Sequence, residues 1–229
     1  MRILLTILIC LFTTGLATAE KPTFDTHEPL RVPCGLTNVV YDWDFAAGMQ
    51  DFTTSPCDAQ GVPVWEHGPT TYVAGAPGTV WGTVLEADYP VDSGEALVSP
   101  SFMVSEETYL MEIFHYYDAE NLWDGGNVKV NGNVITPLVG YPGVISVPGD
   151  WYAWCVDFQS GFTGLNVGWF SSCFDLSAYL GQTIQVSFEF GSDDTFVEAG
   201  WYIASVRVGN DFIVENESQT WTGVKSMYR

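Results

Sequence analysis

Thr183-Ile184-Gln185-Val186-Ser187-Phe188-Glu189-Phe190 alternates strictly between apolar and polar side chains once it leaves Thr183. Ile184, Val186, Phe188 and Phe190 fall on one side of an extended chain, and Gln185, Ser187 and Glu189 on the other. A period of two marks a half-buried antiparallel strand, because successive side chains of a strand point to opposite faces. Downstream, residues 201–208 repeat the pattern, which predicts Tyr202, Ala204, Val206 and Val208 on one face. Upstream, residues 109–116 are apolar on both faces apart from Glu112 and His115, as in a central strand covered on both sides. In Val128-Lys129-Val130-Asn131-Gly132-Asn133-Val134-Ile135 an Asn-Gly pair separates two β-prone arms, a strong hairpin signal. Further strands are predicted at 39–45, 79–86 and 96–104. A single helical turn is predicted at 175–179, with Asp175 as its cap and Gly181 as its stop. Many short strands parted by Gly, Pro, Asn and Asp, with no long helical period and no internal repeat, predict an all-β fold: an antiparallel β-sandwich of the jelly-roll kind.

The ends of the chain read differently. Met1-Arg2, a mainly apolar run at 3–12 and Ala17-Thr18-Ala19 form the pattern of a signal peptide spanning 1–19. The apolar run is too short to anchor the chain, so no membrane insertion is expected. Residues 20–33 read as an N-terminal linker, 34–210 as the jelly-roll sandwich, and 211–229 as a C-terminal tail. That tail carries the sequon Asn216-Glu217-Ser218, meaningful in a host that glycosylates exported proteins. The 47% hydrophobic content supplies a substantial core and excludes a disordered profile. Acidic residues number 28 against 7 basic, a net charge of −21, and loss of Arg2 makes the mature chain one charge more negative. Such a field repels nucleic acid and anionic membrane surfaces and attracts metal cations. Four cysteines survive processing: Cys34, Cys57, Cys155 and Cys173. An even number in an exported chain predicts two disulfides, for which three pairings exist. Cys34–Cys57 with Cys155–Cys173 is expected, because each closes a local loop. No spacing among them resembles a zinc site.

Several motifs, taken in order, carry a resemblance. They are Trp81-Gly82-Thr83, Leu97-Val98-Ser99-Pro100, Phe114-His115-Tyr116-Tyr117-Asp118-Ala119-Glu120 and Asp124-Gly125-Gly126-Asn127-Val128-Lys129-Val130. They continue with Phe174-Asp175-Leu176-Ser177-Ala178-Tyr179-Leu180-Gly181, Gly191-Ser192-Asp193-Asp194 and Gly200-Trp201-Tyr202-Ile203. Over residues 38–210 the chain resembles the jelly-roll domains of immune-inhibitor-A-type secreted metalloproteases, MAM-like domains and cleaved-adhesin domains. The resemblance implies a non-catalytic accessory domain that often holds a structural calcium. It does not extend to a catalytic zinc domain: H-E-x-x-H is absent, and His27, His67 and His115 are widely spread. The family also follows its Trp-Tyr-Ile with two acidic residues, where this chain has Ala204 and Ser205, so a ligand from that strand is expected to be missing.

Calcium takes six to eight oxygens, drawn from carboxylates, carbonyls and water. The candidate ligands are Asp44 (with its neighbour Asp42), Asp118, Glu120, Asp124, Asp193 and Asp194, all at predicted strand ends or loops. Asp and Gly also cluster in turns for backbone reasons alone. Trp123, Trp151, Tyr152, Trp154 and Trp169 lie in or beside predicted loops, and a carbohydrate-binding module would use such rings to stack on sugar faces. Trp43, Trp65, Trp81 and Trp201 read as packing residues. Glu112, His115 and Tyr117 share one predicted strand, but alternation sets Glu112 on the opposite face, so they form no triad. The sequence thus leads to a secreted, monomeric, non-catalytic module with calcium as its cofactor and an extracellular protein or glycan as its partner. A lectin-like module and a small polysaccharide-active enzyme are the alternatives.

Overall fold

The computed structural model describes residues 34–57, 60–145 and 153–211. The predicted signal peptide (1–19), linker (20–33) and, apart from Asp211, tail (211–229) lie outside the described residues. In chain order the strands are β1 (Asn38–Asp44), β2 (Thr53–Pro56), β3 (Trp65–Pro69), β4 (Thr79–Thr83), β5 (Gly94–Val98), β6 (Phe102–Met103), β7 (Leu110–Ala119) and β8 (Gly125–Val130). They continue as β9 (Asn133–Ile135), β10 (Gly143–Ile145), β11 (Gln159–Gly161), β12 (Gly164–Leu165), β13 (Phe170–Asp175), β14 (Thr183–Ile184), β15 (Val186–Gly191) and β16 (Gly200–Asn210). A seven-stranded antiparallel sheet is built on β7 and β16, with β12 and β13 beside β7, β4 and β1 beside β16, and β3 beyond β4. A five-stranded sheet has the order β2-β5-β15-β8-β9. Among the described residues no helix is long and apolar enough to cross a membrane.

The two sheets face each other across an aromatic core, giving the expected antiparallel β-sandwich. Trp201, fully buried, lies at its centre, 5.7 Å from Trp65, 6.0 Å from Phe188 and 5.6 Å from Phe162 between ring centroids. A Cβ on Gly126 would come within 2.3 Å of the Trp201 indole, so only glycine lets β8 pass beneath it. Trp43, Trp65 and Trp81 are buried as predicted. Ile184, Val186, Phe188 and Phe190 are all inside, so the alternation of 183–190 is realised across β14 and β15. The Asn131-Gly132 hairpin forms between β8 and β9, both turn residues at positive φ (52° and 77°), as a type I′ turn requires. The turn at 177–179 also forms, with the Asp175 carboxylate accepting from the Ser177 N–H at 2.8 Å.

The expected single face of β16 is corrected. Its register against β7 slips between Ile203 and Ser205, leaving Ala204 as the extra residue of a β-bulge. Before the bulge Trp201 and Ile203 face the inter-sheet core; beyond it Val206 and Val208 do. Tyr202 and Ala204 instead pack with Val73, Val80 and Leu85 in a second cluster on the outer face of the seven-stranded sheet.

The expected disulfide pairing is corrected too. Cys34 bonds Cys173, and Cys57 bonds Cys155, with Cα–Cα distances of 5.1 and 5.6 Å and sequence separations of 139 and 98. Locality in sequence misleads because strand neighbours in this sandwich are far apart along the chain. Cys173 lies opposite Glu112 in the β13–β7 pair, and Glu112 also accepts the Cys34 backbone N–H at 3.1 Å, which brings the two cysteines together. Cys57 follows the edge strand β2, and Cys155 lies in a segment laid over the same five-stranded sheet, where its carbonyl accepts from Lys129 of β8.

Candidate metal centre

Strand ends β7, β8 and β15 meet at one rim of the sandwich, and each delivers an acidic residue just beyond or before its last paired residue. Glu120 follows β7. Its carbonyl accepts the backbone N–H groups of Trp123 (3.1 Å) and Asp124 (3.0 Å), closing a tight turn into β8. Leu122 in that turn sits at φ 69°, its N–H held by the Thr163 hydroxyl at 2.7 Å, while the same hydroxyl donates to the Glu120 carbonyl at 3.1 Å. Asp193 follows β15, and its backbone N–H donates to Asp124 Oδ1 at 2.8 Å. Tyr89, fully buried, links the other two: its hydroxyl donates to Asp124 Oδ2 at 2.7 Å and accepts the Glu120 N–H at 3.1 Å.

The result is a trio of buried carboxylates, with one oxygen from each of Glu120, Asp124 and Asp193 lying within 4.8 Å of the others. They are 8%, 0% and 1% exposed, which removes the water that ordinarily screens like charges. Burial lifts the Asp124 carboxyl to about 8, with the charges of Asp193 and Glu120 acting in the same direction; the Asp193 N–H and the Tyr89 hydroxyl pull it back. Burial, then the charge of Asp124, pushes the Tyr89 phenol above its usual range, so it stays a donor. Asp193 Oδ1 accepts the N–H and the hydroxyl of Thr195, both at 2.9 Å, but its Oδ2 has no hydrogen-bond partner among the described residues. A buried carboxylate oxygen left unbonded is costly unless something else meets it. An all-oxygen, multiply charged donor set fits a hard divalent cation, calcium above the softer metals.

Of the predicted ligands the structure therefore brings Glu120, Asp124 and Asp193 together. Asp118 lies two residues before Glu120 on β7, opposite Gly200, and is not part of the trio; Asp194 is exposed beside Asp193 and also outside it. Asp44 pairs with Ser205, five residues along β16 from Gly200, about 16 Å at the ordinary strand rise. It accepts the Ala46 N–H at 3.0 Å and caps the short turn after β1. Positions 204 and 205 lie beside Asp44, so the two acids absent there are remote from the trio. Sequence reasoning missed Tyr89, Thr163 and Thr195. A lone tyrosine in a turn has no spacing that signals two carboxyl-bearing partners.

The aromatic candidates are dispersed. Trp169 packs on Phe114 and Tyr116 over the outer face of the seven-stranded sheet, with centroids 5.7 and 6.1 Å away. Trp154 lies over Gly94 on the outer face of the five-stranded sheet, and Trp123 packs with Ile145, Ala153 and Val156. All three are half-buried. Trp151 and Tyr152 lie outside the described residues. His115 is fully buried: Nδ1 accepts from the Trp201 indole at 3.0 Å, so Nε2 carries the proton and donates to Ser172 Oγ at 2.8 Å. Burial drops its pKa to about 3. With its acceptor nitrogen already occupied, His115 is not placed to take a proton from Ser172. Glu112 faces the other way, paired with Arg207, as alternation predicted.

No family model matches the chain. Over 167 residues, 69% of this chain and 10% of the relative, it is 30% identical to bacillopeptidase F of Bacillus subtilis strain 168. It is 28% identical over 112 residues to the pre-pro-metalloprotease PrtV of Vibrio cholerae, covering 46% of this chain and 11% of that protein. The chain thus spans about a tenth of the length of the curated relatives it matches. Among solved structures, the K1 cleaved adhesin domain of Lys-gingipain from Porphyromonas gingivalis is 13% identical, with a TM-score of 0.44 covering 75% of this chain and 98% of that one. The K3 domain of the same protein gives 13%, 0.42, 74% and 98%.

Proposed function

We infer that this chain is an exported, non-catalytic β-sandwich binding module, directed at an extracellular protein or glycan, whose rim is held together by one calcium ion on Glu120, Asp124 and Asp193. The observation that carries the reading is the unpartnered Asp193 Oδ2 among three buried carboxylates. Bound there, the cation supplies positive charge where three acids otherwise repel one another. Asp193 tethers the loop after β15, Glu120 and Asp124 the turn between β7 and β8, and Tyr89 and Thr163 hold those two in register. Two disulfides support export. Similarity to a small stretch of two bacterial proteases supports an accessory role, since the chain carries no H-E-x-x-H of its own.

Thermal unfolding of the oxidised protein in calcium and in excess chelator tests the reading. A ligand at about a hundred times its dissociation constant stabilises by about 2.7 kcal/mol, which for a domain of this size raises Tm by roughly 5–10 °C. The expected outcome is that rise in the native chain and its loss in Asp193→Asn. Equal melting temperatures with calcium and with chelator would remove calcium from the proposal.

A further inference from the structure

A cavity of about 320 Å³ opens on the outer face of the seven-stranded sheet, remote from the metal centre. It forms where β16 exchanges neighbours. One edge of β16 is paired with β4 at Tyr202 and Ile203 and with β1 from Ser205 onward, and the Ala204 bulge lies between the two pairings. Consecutive strand residues ordinarily face opposite ways, yet Ala204 and Ser205 both line this cavity, which the bulge makes possible. Asp42 and Asp44 of β1, two residues apart and so on one face, form one wall. Arg207 lies opposite, and the half-buried ring of Phe114 forms part of the floor.

The charges do not cancel internally. Arg207 sits directly across the β1–β16 pair from Asp42, yet it turns to the buried Glu112 on its other side. The Asp42 carboxylate is left exposed, with no hydrogen bond or ion pair of its own among the described residues. Arg207 meets Glu112 through one nitrogen only, and its side chain stays 42% exposed at the cavity, so a ligand cation would meet guanidinium N–H groups and a ligand anion two carboxylates. A neutral ring bearing hydroxyls suits both walls: its O–H groups donate to Asp42 and Asp44, and its oxygens accept from Arg207 and from the Ser205 hydroxyl. Its C–H face packs on Phe114. The volume lies at the small end of ligand pockets and suits one sugar ring.

We propose that this cavity is a sugar-binding site for a single neutral hexose unit, read by Asp42, Asp44, Ser205 and Arg207 over Phe114. The site rests on the reading of the chain as a binding module and is independent of its calcium.

The test is an amide-resolved NMR titration of the oxidised, calcium-loaded full chain with the methyl glycosides of glucose, galactose, mannose and N-acetylglucosamine. A ligand of about a dozen heavy atoms binds with a Kd on the order of 1 mM. At least one glycoside is expected to give saturable shifts at Phe114, Ser205 and Arg207. Asp42→Ala, an exposed change that spares the core, weakens it at least about tenfold; Asp118→Ala leaves it unchanged. Three results overturn the site: no saturable shift with any glycoside, shifts that survive Asp42→Ala, or saturation of the same amides by methylammonium chloride alone. Saturable shifts at other surface amides, with Phe114, Ser205 and Arg207 unmoved, would also overturn this site and leave the module reading standing.

Discussion

At the residue scale the His115 imidazole decides most, because two partners and burial fix one protonation state. The Trp201 indole donates to one ring nitrogen, Ser172 accepts from the other, and burial drops the pKa to about 3. In the unfolded chain the ring titrates near 6.5, so between about 6.5 and 3 the unfolded state binds one more proton than the folded one. Stability contributed by the neutral ring is therefore complete above pH 6.5 and falls as pH drops toward 3, by up to about 1.4 kcal/mol per pH unit. Urea unfolding measured at several pH values between 4 and 7 should show a slope in native protein steeper, by up to one proton, than in His115→Gln. Equal slopes would show that the ring is charged inside the core or titrates normally. Trp201 as a packing residue was legible in the sequence. The indole–imidazole–hydroxyl chain was not, since its members come from three strands.

At the scale of elements, the same substitution separates two reasons for glycine. At Gly132 in the β8–β9 turn a Cβ would meet nothing within 4 Å, but φ is +77°. Gly132→Ala therefore costs backbone strain alone, about 1–2 kcal/mol. At Gly126 the Cβ would enter the Trp201 ring, so Gly126→Ala costs about 3 kcal/mol through displaced packing. Denaturant midpoints of the two variants test this order, and reversal would mean that the sheet yields under Trp201. The β15 strand and this hairpin were readable because one face of each is apolar or its turn chemistry is explicit. The face of β16 was not. Both its faces are covered, one by the other sheet and one by the segment that carries Val73, so alternation carries no contrast and gives no sign of the bulge at Ala204. For the metal centre, the sequence named Glu120, Asp124 and Asp193 within a larger set of acids. Which of them converge depends on strand register, and register placed Asp44 at a distance and left Asp118 and Asp194 beside the trio but outside it.

For the whole molecule, the two bridges are nested, Cys57–Cys155 inside Cys34–Cys173. A protease that cuts one peptide bond anywhere between residues 34 and 173 leaves both pieces covalently tied. Such a nicked chain should run at full size on a denaturing gel without reductant and split only when reduced. No such tie covers the chain beyond Cys173, where β14, β15 and the central β16 are retained by packing and hydrogen bonds. The exposed stretch Asp194-Thr195-Phe196 lies there, immediately after Asp193 of the candidate metal centre. In chelator, cutting at that loop should release a C-terminal fragment even without reductant, and calcium should slow the cut. Covalent bonds thus guard about the first four-fifths of this domain against hydrolysis, and the proposed calcium site falls where that armour ends.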